Sequence, residues 1–267
     1  MPIDETDEGS PVRVVHRGPI AEVVLTRPDR RNALDAATGR ALADAIEELR
    51  GCGRTRVVVL RGEGTAFCAG GDVKDMLAGV RAGRAEQLLR EIAGVVHTAI
   101  AGIARLPKPV IASVHGQAYG AGFSLALACD LVVAAEDATF CQAFVKLGVT
   151  PDSGSSFFLP RIVGRQIASE LMMLGDAIDA REAHRLGLVN RVVPRDDLDG
   201  HALALAERLA RGPAEAYARV KRLIALGVQT GLEQQLENER QSLSESAVTD
   251  DFRKGVESFI AKRPAWM

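Results

Sequence analysis

Three short and nearly unbroken apolar runs, Val57 to Leu60, Val110 to Val114 and Leu131 to Ala134, constrain this chain more than any other feature of it. A strand with one wet face alternates polar and apolar residues, whereas a strand that does not alternate is covered on both faces. Helical spacing surrounds these runs. Asp35 to Arg50 places Leu42, Ala45, Ile46 and Leu49 on one face and ends at Gly51-Cys52-Gly53. Ala85 to Leu106 reads as a helix closed by Pro107 and Pro109. Val12 to Val15 and Ile20 to Leu25 read as two strands around an Arg17-Gly18-Pro19 turn. After Ala134 strands nearly vanish, apart from Arg191 to Val193. Ile167 to Leu174, Ala180 to Leu186, Asp197 to Ala210, Pro213 to Leu226 and a last stretch to Ala261 read as helices. The expected fold class is therefore α/β, with a helical C-terminal region. The expected organisation is a flexible N-terminus over residues 1–10, a core over 11–195, and a helical region over 196–267 that docks on the core or on a neighbouring subunit.

The bulk numbers exclude several classes. With a net charge of -2, the chain offers no general electrostatic attraction to nucleic acid. No apolar stretch reaches membrane-spanning length, since Val110 to Ala135 is interrupted by His115, several glycines and Asp130. Met1 to Ser10 is acidic and polar and lacks the basic and apolar regions of a secretion signal, so a cytoplasmic protein is expected. Cys52, Cys68, Cys129 and Cys141 are widely spaced with no CxxC pair, so neither a metal site nor a disulfide framework is expected.

Two glycine-rich strand-to-helix junctions could carry chemistry: Ala66-Phe67-Cys68-Ala69-Gly70-Gly71-Asp72 and Gly116-Gln117-Ala118-Tyr119-Gly120-Ala121-Gly122. Small residues let a ligand approach the backbone, and helix N-termini present free N–H groups. Two such junctions could aim two donors at one oxygen, forming an oxyanion hole. Tight packing of helix on strand accounts for the same residues equally well. A third segment, Gly148 to Ser156, contains Asp152. Its Pro-Asp-Ser-Gly-Ser-Ser pattern reads locally as a helix N-cap.

Four segments together resemble the enoyl-CoA hydratase/isomerase (crotonase) superfamily: Leu25 to Leu34, Phe67 to Lys74, Lys108 to Gly116, and Gly120-Ala121-Gly122 running to Asp130. Weaker matches follow at Ala180 to Ala183, Leu186 to Val189 and Phe259 to Arg263. The resemblance implies a spiral core of ββα units, with C-terminal helices that build homotrimers or hexamers. It implies an acyl-CoA thioester substrate, coenzyme A entering as part of the substrate and no other cofactor. By motif position the thioester oxygen would be held by the N–H groups of Gly71 and Ala121. Hydratases of this family use two glutamates, and at those positions this chain has Ser124 and Phe144.

Asp152 then becomes the candidate base, as in the branch that isomerises ring-epoxide phenylacetyl-CoA or shifts enoyl-CoA double bonds. A single carboxylate suits a 1,3-proton shift, taking a proton from one carbon and returning it to another. His97 stands where the dehalogenase-like branch carries a water-activating histidine, and neutral imidazole can act as a base near pH 7. The resemblance puts Arg31 and Lys74 near CoA phosphates or ribose, with Ala33, Ala69 and Asp72 along the adenine and pantetheine path. It puts Phe144 at the acyl pocket, and Phe259 and Lys262 in reach of a neighbouring subunit's CoA. His115 is read as structural. An isomerase is favoured. The alternatives are a hydratase, an aromatic acyl-CoA dehalogenase or hydrolase using Asp152 and His97, and a catalytically silent CoA-binding protein.

Overall fold

The computed structural model describes residues 9–266. The expected flexible segment over residues 1–10 thus lies, for residues 1–8, outside the described residues. Ser10 is already tied down, its carbonyl accepting the Thr26 hydroxyl at 2.6 Å.

The chain enters through an antiparallel hairpin, β1 (Val12–Arg17) and β2 (Ile20–Leu25). Helix α1 (Ala36–Gly51) starts where the Asp35 carboxylate accepts the Thr38 N–H at 2.7 Å, and it buries Leu42, Ala45, Ile46 and Leu49. Strand β3 (Val57–Gly62) follows, then α2 (Val73–Arg81) and α3 (Ala85–Arg105). Next come β4 (Val110–Val114), β5 (Gln117–Tyr119), α4 (Ala121–Ala128), β6 (Leu131–Ala135) and β7 (Thr139–Cys141). Helix α5 (Ser155–Leu174) is broken at Gly164 and leads to β8 (Ala177–Asp179), α6 (Ala180–Arg185) and β9 (Arg191–Val193). The chain closes with α7 (Leu198–Arg211), α8 (Ala214–Gly227), α9 (Leu232–Ser246) and α10 (Asp250–Ile260).

Six strands form one sheet in the order β1-β2-β3-β4-β6-β9, parallel except for the β1/β2 pair. Both faces are dry, which is why the strands do not alternate. Val23, Leu25, Val58, Leu60, Ala112 and Val114 point to a core shared with α1, α3 and α4. Ile20, Val57, Val59, Ile111 and Val133 point the other way, onto Leu198, Ala202, Leu205 and Ala206 of α7. Each aliphatic side chain buried in this way is worth about 1.5–3 kcal/mol. A second, small sheet runs β5-β7-β8 and lies beside the glycine-rich junctions.

Several elements depart from the sequence expectation. Strands β5, β7 and β8 are three residues each, too short to show a period. Helix α5 begins at Ser155 rather than near Ile167, because Gly164 and Pro160 disguise its first half. The single last helical stretch is two helices, the second restarted by Thr249, whose hydroxyl accepts the Phe252 N–H at 3.2 Å. The C-terminal helices are latched to the core by Lys221 on α8. Its ammonium donates to Ile103 O at 2.8 Å, to Lys108 O at 3.3 Å and to Asp130 Oδ2 at 2.7 Å. Among the described residues no helix is long and apolar enough to cross a membrane.

Candidate active site

The two glycine-rich junctions are zipped together by backbone. Cys68 N–H donates to Gln117 O at 2.9 Å, and Tyr119 N–H donates to Cys68 O at 3.0 Å. The join is close because side chains are missing. At Gly70, with φ of +92°, a Cβ would stand 2.7 Å from Tyr119 O and 3.5 Å from Ala121 N. A Cβ at Gly122 would run into the Cys68 carbonyl. Both features favour glycine there for steric reasons. Gly71 N–H and Ala121 N–H, the first of α4, donate to no acceptor among the described residues. Two free amides at adjoining junctions are therefore open to an acceptor from outside the described residues.

The first junction is braced from below by the turn at residues 27–32. Arg31 and Asn32 both adopt positive φ, at 50° and 55°. That conformation is uncommon for non-glycine residues, and here the surroundings hold it. Asn32 is fully buried, its amide nitrogen donating to Glu63 O at 2.9 Å and Ala66 O at 2.8 Å. The Arg31 carbonyl accepts Ala69 N–H at 3.0 Å, and Gly70 O accepts Leu34 N–H at 2.7 Å. The Arg31 side chain, exposed, donates to Gln117 Oε1 at 3.2 Å. Asp72 is only 3% exposed. Its carboxylate caps α2 and pairs with Arg27 at 3.2 Å and Arg30 at 3.3 Å. Asp72 is therefore spent on building the junction, which leaves it little to offer a ligand. Lys74 stands exposed in the first turn of α2, while Ala33 is buried and Ala69 half-buried.

Asp152 reaches the second junction from the loop before α5. Its carboxylate does not cap the helix. Gly154 sits at the N-cap position and no side chain caps it. Instead Asp152 Oδ1 lies 2.6 Å from His97 Nε2 on α3. A carboxylate can only accept, so with Asp152 ionised the His97 Nε2–H donates. Both side chains are partly open to solvent, 53% for His97 and 39% for Asp152.

Three buried serines fix this loop. Ser155 donates its N–H at 3.1 Å and its hydroxyl at 2.8 Å to Asp152 O. Ser124 Oγ lies 3.3 Å from Asp152 O and 3.2 Å from Gly120 O, so its one proton bridges α4 and the loop. Ser153, with φ of +56°, lies with its hydroxyl 3.3 Å from Asp152 Oδ2. In the sequence Ser124 shows only that a glutamate is absent; its bridging contact depends on Asp152, 28 residues away. Phe144 lies beside the same junction, since a Cβ at Gly120 would stand 3.8 Å from its ring.

Gly71, Ala121, Asp152 and His97 thus gather at one place, with Arg31, Ala69 and Phe144 at its edges. Phe259, 87% exposed, and Lys262 stand at the end of α10, which packs on α8. His115 is buried, with Nε2 3.0 Å from Gly64 O. Burial pushes its imidazole below the ordinary histidine range, helped by the charge of Arg195 and opposed by the Gly64 bond.

Residues 16–267 match the family described as Enoyl-CoA hydratase/isomerase. A "Probable enoyl-CoA hydratase" of Rhodobacter capsulatus is 41% identical over 246 residues, covering 92% of this chain and 93% of that protein. The 1,2-epoxyphenylacetyl-CoA isomerase of Escherichia coli is 36% identical over 244 residues, covering 91% and 93%. The crystal structure of an enoyl-CoA hydratase from a Polaromonas species superposes with a TM-score of 0.90 at 38% identity, covering 94% of this chain and 97% of that one. The α/β architecture, with its two sheets and C-terminal helices, is the crotonase fold. The chain belongs to the enoyl-CoA hydratase/isomerase family.

Proposed function

We propose that this protein is an acyl-CoA isomerase that moves a double bond by a proton shift, with Asp152 as the base. The observation that carries this is the Asp152 loop, tied to α4 by the Ser124 hydroxyl on the Asp152 backbone carbonyl and with its carboxylate bonded to His97, in a chain whose two usual glutamate positions hold Ser124 and Phe144. The thioester oxygen sits between the N–H groups of Gly71 and Ala121. Asp152 removes a proton from the α- or γ-carbon, the electron pair delocalises onto the thioester oxygen, and the proton returns at the other carbon. An oxyanion donor of this kind is worth about 2.7–4 kcal/mol in the transition state. His97, bonded to Asp152, orients the carboxylate. Arg31 and Lys74, both exposed cations, meet CoA phosphates, Ala33, Ala69 and the Asp72 turn flank the nucleotide and pantetheine path, and Phe144 lines the acyl end.

The subunits assemble as a homotrimer or hexamer in the cytoplasm. Exposed apolar residues along the C-terminal helices, among them Ile224, Leu232, Leu243 and Ile260, support such assembly. Phe259 and Lys262 would then reach a neighbour's CoA. The four free cysteines suit a reducing compartment.

A second reading is favoured by the His97–Asp152 bond. In it Asp152 attacks an aromatic acyl-CoA ring carbon, a leaving group departs with its electron pair, and His97 takes a proton from the water that hydrolyses the aryl ester. The two are separated by mass spectrometry of Asp152→Asn and His97→Gln during turnover. An isomerase forms no covalent adduct in His97→Gln and loses proton exchange in Asp152→Asn. An adduct on Asp152 that accumulates in His97→Gln establishes the second reading. Full activity of Asp152→Asn removes both, and leaves a hydratase working by another group. Thioester binding without turnover by the wild type would mark a silent CoA-binding protein.

A further inference from the structure

The face of the large sheet away from the acyl site carries a second polar pocket. Towards α7 the sheet is apolar along Ile20, Val57, Val59, Ile111 and Val133. At one end this gives way to Glu22, Arg61 and Ser113, which share that face by register. Around them lies a half-open pocket of about 210 Å³, lined also by Arg17, Val59, Ala202 and Leu203 and by Asp199 and Gly200 of α7.

Three facts say what the pocket holds. The Glu22 carboxylate is fully engaged, one oxygen bonded to Arg17 Nε and the other to Arg61 Nε at 2.7 Å. Burial raises its pKa, but the two guanidiniums outweigh this and hold it below the usual carboxylate range. Each guanidinium offers only its Nε to Glu22, so the terminal amino groups of both arginines donate to nothing among the described residues. Ser113, which also lines the pocket, is 1% exposed and its hydroxyl has no partner among the described residues. Buried hydroxyls are almost always hydrogen-bonded, and an orphaned one lining a cavity calls for an occupant.

We infer that this pocket is a binding site for a small oxyanion, a phosphate, sulfate or carboxylate group. The terminal amino groups of Arg61 and Arg17 would bind its oxygens, and the Ser113 hydroxyl would donate to it from below. Guanidinium forks suit planar and tetrahedral oxyanions. Arg17 and Arg61 are matched in charge by Glu22 and Asp199, so the free guanidinium N–H donors rather than a net positive charge favour an anion. Asp199, exposed in the first turn of α7, is the opposing charge and sets an upper bound on affinity. The site lies on the α7 face of the sheet, opposite the face packed against α3 and α4.

The test is calorimetric titration of the full-length protein with inorganic phosphate and, in a parallel arm, malonate, at matched ionic strength in chloride. Wild type should bind at least one of them saturably, and the stronger arm identifies phosphate or carboxylate as the ligand group. Ser113→Ala should weaken binding about tenfold, the effect of losing one charge-assisted hydrogen bond. Asp199→Asn should tighten it. Arg61→Gln should abolish it, but that change also strips Glu22 of a partner, so Ser113→Ala is the deciding variant. Binding of CoA should be unchanged by Ser113→Ala. Equal binding by wild type and Ser113→Ala would overturn the assignment, placing the anion in the CoA phosphate path. No saturable binding would overturn it too, leaving Ser113 bonded to water alone.

Discussion

Gly70→Ala should nearly abolish chemistry while its neighbour Gly71→Ala should be tolerated. At Gly70 the new methyl would stand 2.7 Å from Tyr119 O, where ordinary contact begins near 3.4 Å. The junctions must therefore part by about 0.7 Å, which moves one amide out of the 2.7–3.1 Å range an oxyanion donor needs. Loss of one such donor costs about 10²–10³-fold in kcat. A non-glycine residue at φ of +92° adds strain of about 1–3 kcal/mol to the fold. At Gly71 the added methyl meets only Met76 Cε, the far end of a flexible side chain, and the N–H survives. Its effect should stay within about tenfold, because methionine repacks readily. The assay is α-proton exchange of a 3-enoyl-CoA thioester in D₂O, with affinity for an unreactive thioether analogue measured alongside. Affinity should hold in both variants, since the donors act on charge that develops in the transition state. Equal exchange rates in the two variants, or wild-type exchange in Gly70→Ala, would refute the oxyanion assignment.

Ser124→Ala should lower stability by about 0.5–1.5 kcal/mol in urea melts and reduce kcat more than it raises KM, because it frees the Asp152 loop from α4. Lys221→Met should cost about 1.5–3 kcal/mol by denaturant titration at pH 7, since the ammonium's bonds to Ile103 O, Lys108 O and Asp130 are lost while Asp130 keeps, among the described residues, only the Val110 N–H. Burial already raises the Asp130 carboxyl, against the pull of Lys221. A raised acid contributes stability at low pH and loses it as pH rises, so the Lys221→Met deficit should shrink as the assay is moved to acid. His115 has a depressed folded pKa, so its contribution is present above about pH 6.5 and is lost as pH falls through the lower folded value. His115→Asn should flatten the stability profile just below that pH; an unchanged profile would contradict the assigned direction.

What could be read from residues alone has a physical pattern. Strands β3, β4 and β6 announced themselves because both faces are dry, and α1 and α3 because each buries one stripe. Helix α4 is buried on every side and has no period, so only its small-residue start marked it. Helix α2 is mostly exposed, so only the glycine-rich strand-to-helix junction and the Asp72 cap mark its start; the Arg27 and Arg30 partners of Asp72 lie 45 and 42 residues away. Asp152 and His97 were each nameable as candidates, but their contact spans 55 residues and depends on how α3 and the loop before α5 meet. The serine bridge from α4 to that loop has the same origin. Local patterns report local geometry, and the parts of the site built by tertiary contact were not encoded in any window of sequence.

The central claim is that Asp152 moves the proton. Wild type and Asp152→Asn, incubated in D₂O with 3-enoyl-CoA and 2-enoyl-CoA thioesters, would be read by mass spectrometry and NMR for deuterium and double-bond position. Exchange and bond migration by wild type, lost in Asp152→Asn while thioester affinity is kept, is the predicted result. Exchange that survives in Asp152→Asn, or a wild type that binds both thioesters and exchanges neither, would contradict it.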